Sequence, residues 1–251
     1  MKRFDGKVAV VTGGARDIGR QTSIRLAREG ASVCVNYYDN PEDAQETLRI
    51  IEADGGNAIA VKGDMTNHDD INNLVAKCIE AFGDKIHTLI NVAGGLVARK
   101  TMGEMDWDFW NFVMKLNLGT VFMVTKAVLP YMPEGSSIVN FSSQAARDGG
   151  GPGASAYATS KGGVLTFTKG LAKELGPKNI RVNCVSPGMI NTTFHDTFTK
   201  PEVRKNVAAG TPLRREGNAS EVADLAVYLA SNDASFITGA SIEINGGTYF
   251  V

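Results

Sequence analysis

Lys7-Val8-Ala9-Val10-Val11-Thr12-Gly13-Gly14-Ala15-Arg16-Asp17-Ile18-Gly19 is the stretch on which the fold turns. Its first half, KVAVVT, is a short apolar run rich in β-branched residues. That is how a strand reads when it is buried on both faces of a parallel sheet. Its second half is a glycine-rich turn. A helix is predicted from about Ile18 to Glu29, with Ile24, Leu26 and Ala27 among its apolar positions and Gly30 at its C-terminal end. A turn between a first strand and a first helix gathers backbone N–H groups at the positive end of the helix dipole, an anion site suited to a pyrophosphate. Alone, the turn is weak evidence, because a purely structural turn looks similar. Its spacing is also not that of G-x-G-x-x-G.

Working outward, strands and helices alternate. Ala31 to Tyr37 reads as a second strand, Pro41 to Ala53 as a helix closed by Gly55-Gly56, and Ala58 to Lys62 as a third strand. A helix from about Asp69 to Phe82 and a strand from Thr88 to Val92 follow. Trp107 to Tyr131 reads as a long helix, Ser137 to Phe141 as a strand, and Ala154 to Leu175 as a helix. Arg181 to Val185 is a sixth strand and Asn191 to Glu216 an irregular excursion. Glu221 to Ala230 is a helix with Ser220 as its N-cap, and Ala240 to Ile244 is a last strand. Parallel strands need crossover helices, so the alternation predicts an α/β fold: a Rossmann-type, doubly wound parallel sheet of about seven strands. With no linker, repeat or low-complexity segment, residues 1–251 are expected to form a single domain.

Bulk properties narrow the partners. The 251 residues carry 26 Lys and Arg against 27 Asp and Glu, a formal net charge of −1. That balance argues against nucleic acid or an anionic membrane as partner. No signal peptide is read at the N-terminus, and no apolar stretch is expected to reach the ~20 residues that span a bilayer. Cys34, Cys78 and Cys184 are scattered in apolar contexts and read as buried thiols, which fits a reducing cytoplasm. The three histidines lack metal-ligand spacing, so no metal is expected.

The chemistry is carried by Ser143 to Lys161, SQAARDGGGPGASAYATSK. Here a hydroxyl follows a strand, a glycine-rich loop intervenes, and Tyr157 and Lys161 stand four apart on a helix. Residues at i and i+4 share a face, with Cβ atoms roughly 5–6 Å apart. A phenol of ordinary pKa ~10 is a poor proton donor or acceptor at neutral pH. A neighbouring ammonium lowers it toward the working range, which suggests proton transfer.

These residues resemble the short-chain dehydrogenases/reductases. The likeness rests on the turn of Thr12 to Gly19, Asn91-Val92-Ala93-Gly94 after the fourth strand, and Asn117 in the long helix. Ser143 with Tyr157-x-x-x-Lys161, and Pro187-Gly188 after the sixth strand, complete it. It covers the chain from Lys7 to Tyr249, and the look is nearest to 3-oxoacyl-[acyl-carrier-protein] reductases. The resemblance implies an oxidoreductase that passes hydride between a nicotinamide dinucleotide and a carbonyl or alcohol. Ser143 would orient the substrate oxygen and Tyr157 give it a proton. Lys161 would lower the Tyr157 pKa and bind the nicotinamide ribose, and Asn117 would hold a water in a proton relay. Gly13, Ile18 and Gly19 would bound the pyrophosphate, Asp64 and Met65 the adenine. Asn91, Ala93 and Gly94 would flank the cofactor, and Pro187, Gly188, Ile190 and Thr192 would lie over the nicotinamide carboxamide. The family is mostly tetrameric, which makes a homotetramer the expectation.

The departures are specific. Asp17 stands where the family has the middle turn glycine, and is expected to serve as a cap that preserves the turn, its charge offset by Arg16. Val92 replaces an asparagine, so another group must satisfy the nearby backbone. Ser143 precedes Tyr157 by one residue more than usual, a difference the loop can absorb, and Ser142 is the rival assignment. Tyr37 holds the position where an acid would select NADH, and Arg16 is placed for a 2′-phosphate. NADPH is favoured over NADH, with Asp39 keeping NADH open. Arg99, Lys100 and Arg147 are the candidate substrate cations. Three readings remain open: a 3-oxoacyl thioester reductase, a reductase of a keto-sugar acid or similar small polar carbonyl, and a cofactor-binding sensor without turnover. The polar segment Asn191 to Thr199 leans toward the second.

Overall fold

In the computed structural model, which describes residues 2–251, strand β1 (Val8–Thr12) is buried along its whole length, as its sequence requires. Its side chains alternate between faces. Ala9 and Val11 join Val33 and Val35 in one core, against Ile24 and Leu26 of α1 (Asp17–Arg28), Ile51 of α2 (Pro41–Ala53) and Val227 of the last long helix. Val8 and Val10 face the other core, with Leu74 and Cys78 of α3 (His68–Phe82), Val124 and Val128 of α4 (Trp107–Tyr131), and Leu171 and Leu175 of α5 (Ser155–Leu175). A strand buried on both faces therefore sits between two helical layers.

The remaining strands are β2 (Ser32–Tyr37), β3 (Asn57–Lys62), β4 (Thr88–Asn91), β5 (Ser137–Phe141), β6 (Arg181–Pro187) and β7 (Ser241–Ile244). They form one seven-stranded sheet in the order β3-β2-β1-β4-β5-β6-β7. Every neighbouring pair is parallel. The doubly wound expectation holds. Strand order reverses between β1 and β4, so the crevice at their C-terminal ends is where such a sheet binds ligands.

Three expectations change. The segment from Asn191 to Glu216 is not irregular: it carries α6 (Thr193–Phe198) and α7 (Pro201–Gly210). Asn218, not Ser220, caps α8 (Ala219–Ala230), in a capping box with Glu221. And α4 is, by length and composition, apolar enough to cross a bilayer, with a mean hydropathy of 1.5. It packs here as a core helix, burying Val121, Val124 and Val128 and leaving Trp107, Phe112 and Phe122 on its outer face. The helix is not regular throughout. From Lys115 to Gly119 it widens to a π turn, in which the Thr120 N–H donates to the Lys115 carbonyl, five residues back.

Candidate active site

The C-terminal ends of β1, β4, β5 and β6 open into a cleft of about 1030 Å³, large for a ligand site. Its floor is the turn after β1. Gly13 has a φ of +60°, and a Cβ on Gly19 would lie 2.0 Å from the Gly13 carbonyl oxygen, so only glycine admits this close approach. Asn36, buried at the end of β2, fastens the turn. Its Oδ1 accepts from the Gly13 N–H at 3.1 Å, while its Nδ2 donates to the Gly63 carbonyl at 3.0 Å. Asn36 is not among the residues expected from sequence, although an amide inside the apolar run SVCVNY is the signal of a buried polar role. The backbone beside Val92 is satisfied after all, because the Thr12 hydroxyl accepts from the N–H groups of Val92 and Ala93 at 3.1 and 3.2 Å.

The turn suits a dinucleotide. No Cβ stands at Gly13 or Gly19, the first turn of α1 offers backbone N–H groups with no helical partner, and Asp64 and Met65 line the cleft beyond it. Arg16 and Tyr37 are on its rim, Arg16 with 60% of its side chain exposed, and Asp39 is there as well. Asp17 corrects the expectation of a cap. The residue before α1 has no side-chain cap, and Asp17, at a left-handed φ of +50°, turns its carboxylate to Thr193 of α6.

On the opposite wall, Ser143, Tyr157 and Lys161 come together. Tyr157 and Lys161 share a face of α5, with the Lys161 Nζ 5.8 Å from the Tyr157 ring centroid. Lys161 is almost fully buried and donates to the Phe141 carbonyl at 2.9 Å. Burial pushes its pKa down to about 8. Burial also raises the Tyr157 phenol above its ordinary value, and a hydrogen bond with Ser143 opposes the rise. Burial, not the lysine, thus dominates the phenol here, contrary to the expected lowering. Ser142 drops out as the rival serine, since its hydroxyl is buried and donates to the Lys161 carbonyl at 2.8 Å.

Asn117 lies in the π turn of α4, fully buried. Its Nδ2 donates to the carbonyls of Gly95 and Val113, and its Oδ1 accepts from the Gly95 N–H. It meets Lys161 at Gly94, where a Cβ would lie 2.7 Å from the Asn117 Oδ1 and 3.3 Å from the Lys161 Nζ. Both side chains therefore need a glycine there.

A lid closes the mouth. Phe194 of α6 lies against Tyr157, ring centroids 5.9 Å apart, and Phe198 one turn on lies 5.2 Å from Phe194. His195 is pushed down to about 4 by burial and by the nearby Arg204 cation, so its imidazole is neutral. Arg204 of α7 pins the segment through Glu216, Asn191 and Asp196. The polar lettering of Asn191 to Thr199 hid an aromatic wall, because Phe194 and Phe198 are four apart on one helical face.

The other expected residues divide. Ala93, Gly94, Pro187, Gly188, Ile190 and Thr192 line the cleft. Asn91 does not: buried in the sheet, it donates to Asn140 of β5 at 2.9 Å. Arg147 does not line it either; it pairs with the half-buried Glu243 at 3.1 Å. Lys100 is paired with Asp106. Arg99 is at the mouth, donating to the carbonyls of Phe198 and Pro152. Among the described residues no cluster of metal-ligating groups occurs, and all three cysteines are free and buried.

Comparison with known proteins agrees with this geometry. The profile of the family described as Enoyl-(Acyl carrier protein) reductase matches residues 13–249. The uncharacterized oxidoreductase YgfF of Escherichia coli (strain K12) is 37% identical over 247 residues, covering 96% of this chain and 99% of the relative. A short chain dehydrogenase from Burkholderia cenocepacia J2315, solved in complex with NADP, is 32% identical with a TM-score of 0.91, over 98% of each chain. An NADH-dependent reductase, A1-R′, responsible for alginate metabolism is 33% identical with a TM-score of 0.91, over 100% of each chain. With its reversed-order parallel sheet, its glycine turn and its serine, tyrosine and lysine on one wall of the cleft, the chain belongs to the short-chain dehydrogenase/reductase family of NAD(P)-dependent oxidoreductases.

Proposed function

We propose that the protein reduces a ketone to an alcohol with NADPH, and that its substrate carries an apolar arm beside the carbonyl, as a 3-oxoacyl thioester does. The observation that carries the proposal is the convergence of Ser143, Tyr157 and Lys161 under the ring of Phe194. A nicotinamide dinucleotide supplies the hydride. As charge develops on the carbonyl oxygen, the Ser143 hydroxyl donates a hydrogen bond to it and the Tyr157 Oη gives it a proton. The raised pKa of Tyr157 keeps the phenol protonated at neutral pH, ready to donate. The Lys161 ammonium stabilises the phenolate left behind, and Asn117 holds the backbone of Gly95 beside it.

The apolar arm is argued from the lid. Phe194, Phe198, Val203 and Val207 line the same cleft as Leu96 and Met189, a wall that favours hydrocarbon over sugar hydroxyls. Arg99 at the mouth supports the second reading, a keto-sugar acid, as does the likeness to the alginate-metabolism reductase. The sensor reading loses one of its two supports, since Thr12 satisfies the backbone beside Val92.

NADPH is favoured on the exposed Arg16 and the absence of an acid at Tyr37. The similarity to one NADP-bound and one NADH-dependent structure leaves the choice to measurement. We take residues 1–251 as one catalytic unit, working in the cytoplasm as a homotetramer. The outer face of α4, with Trp107, Phe112 and Phe122, and the exposed Phe250 support burial between subunits. NAD(P)H consumption against 3-oxoacyl thioesters of increasing length, uronate-derived keto acids and simple diketones tests the function. Rates that rise with acyl length favour the thioester reading, rates confined to the keto acids favour the second, and none at all with intact cofactor binding contradicts both.

A further inference from the structure

We propose that Asp17 is the latch of the lid: its carboxylate holds the first turn of α6 against the nucleotide-binding turn, and thereby sets the aromatic wall over Tyr157. The grip has two points. The Thr193 N–H donates to the Asp17 Oδ1 at 3.1 Å, and the Thr193 hydroxyl donates to Oδ2. Thr193 is next to Phe194, whose ring lies against Tyr157. The rest of α6 is fastened separately, by Arg204 paired with Asp196 and by Arg99 donating to the Phe198 carbonyl at 3.2 Å. These fastenings differ in kind, because only Asp17 belongs to the turn on which a dinucleotide would rest.

Apart from the modest favourable charge of an acid in the first turn of α1, Asp17 makes no side-chain contact in that helix that explains it. It does not cap α1, since that helix begins without a side-chain cap. Its left-handed backbone, φ +50°, is a conformation that glycine adopts without strain. An aspartate there accepts backbone strain, and its charge, favourable at the positive end of the empty helix, would oppose a bound pyrophosphate; the return is the bond to Thr193. Arg16 offsets part of that charge from 3.9 Å, at a solvent-exposed position where such a pair is weak. The latch thus ties two segments that are 176 residues apart in sequence. It rests on the proposed function only in that the lid covers a carbonyl site; the tie itself exists without any ligand.

Hydrogen exchange on the ligand-free full-length protein tests it. Glycine suits the φ of residue 17, so Asp17→Gly relieves strain, and Tm is expected to stay level or rise. Amides of Thr193 to Phe198 are expected to exchange roughly tenfold faster, with those of β1 to β6 unchanged. Thr193→Val, which removes one of the two donors, should show a smaller change of the same sign. With enzyme, the KM for the carbonyl substrate should rise and the cofactor Kd should not weaken. Unaltered exchange at residues 193–198 in both variants overturns the latch. A fall in Tm with slower exchange nowhere and faster exchange throughout also overturns it, because Asp17 would then be holding the turn. Faster lid exchange in a protein that binds no nicotinamide dinucleotide supports the latch and contradicts the proposed function.

Discussion

The Lys161 Nζ donates to the Phe141 carbonyl oxygen at 2.9 Å while standing 5.8 Å from the centroid of the Tyr157 ring. The ammonium is therefore held by the end of β5 rather than by the tyrosine. It is placed to act on a charge that appears only when the phenol gives up its proton.

Because burial depresses Lys161 to about 8, the cation is present below that pH and lost above it. Turnover in the reductive direction should fall as pH rises through 8. The stability consequence has the opposite sense. Between about 8 and the unfolded value of 10.5 the unfolded chain binds the extra proton, so the penalty for the buried charge is relieved as pH rises. Urea unfolding of the wild type against Lys161→Met should show the wild type gaining up to about 3 kcal/mol across that window. A constant difference would contradict the depressed pKa.

Gly94 is the point where Asn117 and Lys161 meet. Gly94→Ala would bring a Cβ to 2.7 Å from the Asn117 Oδ1. Its φ of +156° adds strain, about 1–3 kcal/mol. Activity should fall steeply with Tm. Gly170→Ala is the matched control, in the exposed interior of α5 with no atom within 4 Å of its Cβ. It should stabilise by about 0.5–1 kcal/mol and leave activity intact.

Arg147 tests the difference between a substrate cation and a structural one. It pairs with Glu243, whose other oxygen is buried without a partner. Arg147→Met leaves a largely buried carboxylate unpaired and should destabilise by about 1–3 kcal/mol. The KM of the carbonyl substrate should stay within about twofold. A large rise in KM at unchanged Tm would return Arg147 to the substrate.

What was legible in the sequence was local. Strand–helix alternation gave the doubly wound sheet, because each element carries its own period. Tyr157 and Lys161 were readable because helical spacing puts i and i+4 on one face. Contacts between distant segments were not readable. Nothing in the sequence near Arg147 indicates Glu243 ninety-six residues on, or says that Asp17 faces Thr193. Asn91 was assigned to the cofactor from its motif, yet its amide stitches β4 to β5. The π turn at Asn117 also escaped, since one widened turn leaves the apolar pattern of α4 intact. The excursion from Asn191 to Glu216 read as irregular because its helices are short and held by Arg204 rather than by a core face.

The NADPH reading rests on Arg16. Arg16→Ala should weaken NADPH binding by roughly tenfold and leave NADH nearly unchanged, since a phosphate–guanidinium pair is charge-assisted. Equal losses for both would assign Arg16 to the pyrophosphate instead.

Tyr157→Phe tests the central claim most directly. It removes the proton donor and keeps the ring against Phe194. The account predicts a fall in kcat on the order of 10³-fold, with cofactor Kd and Tm close to wild type. Turnover at the wild-type rate would contradict it.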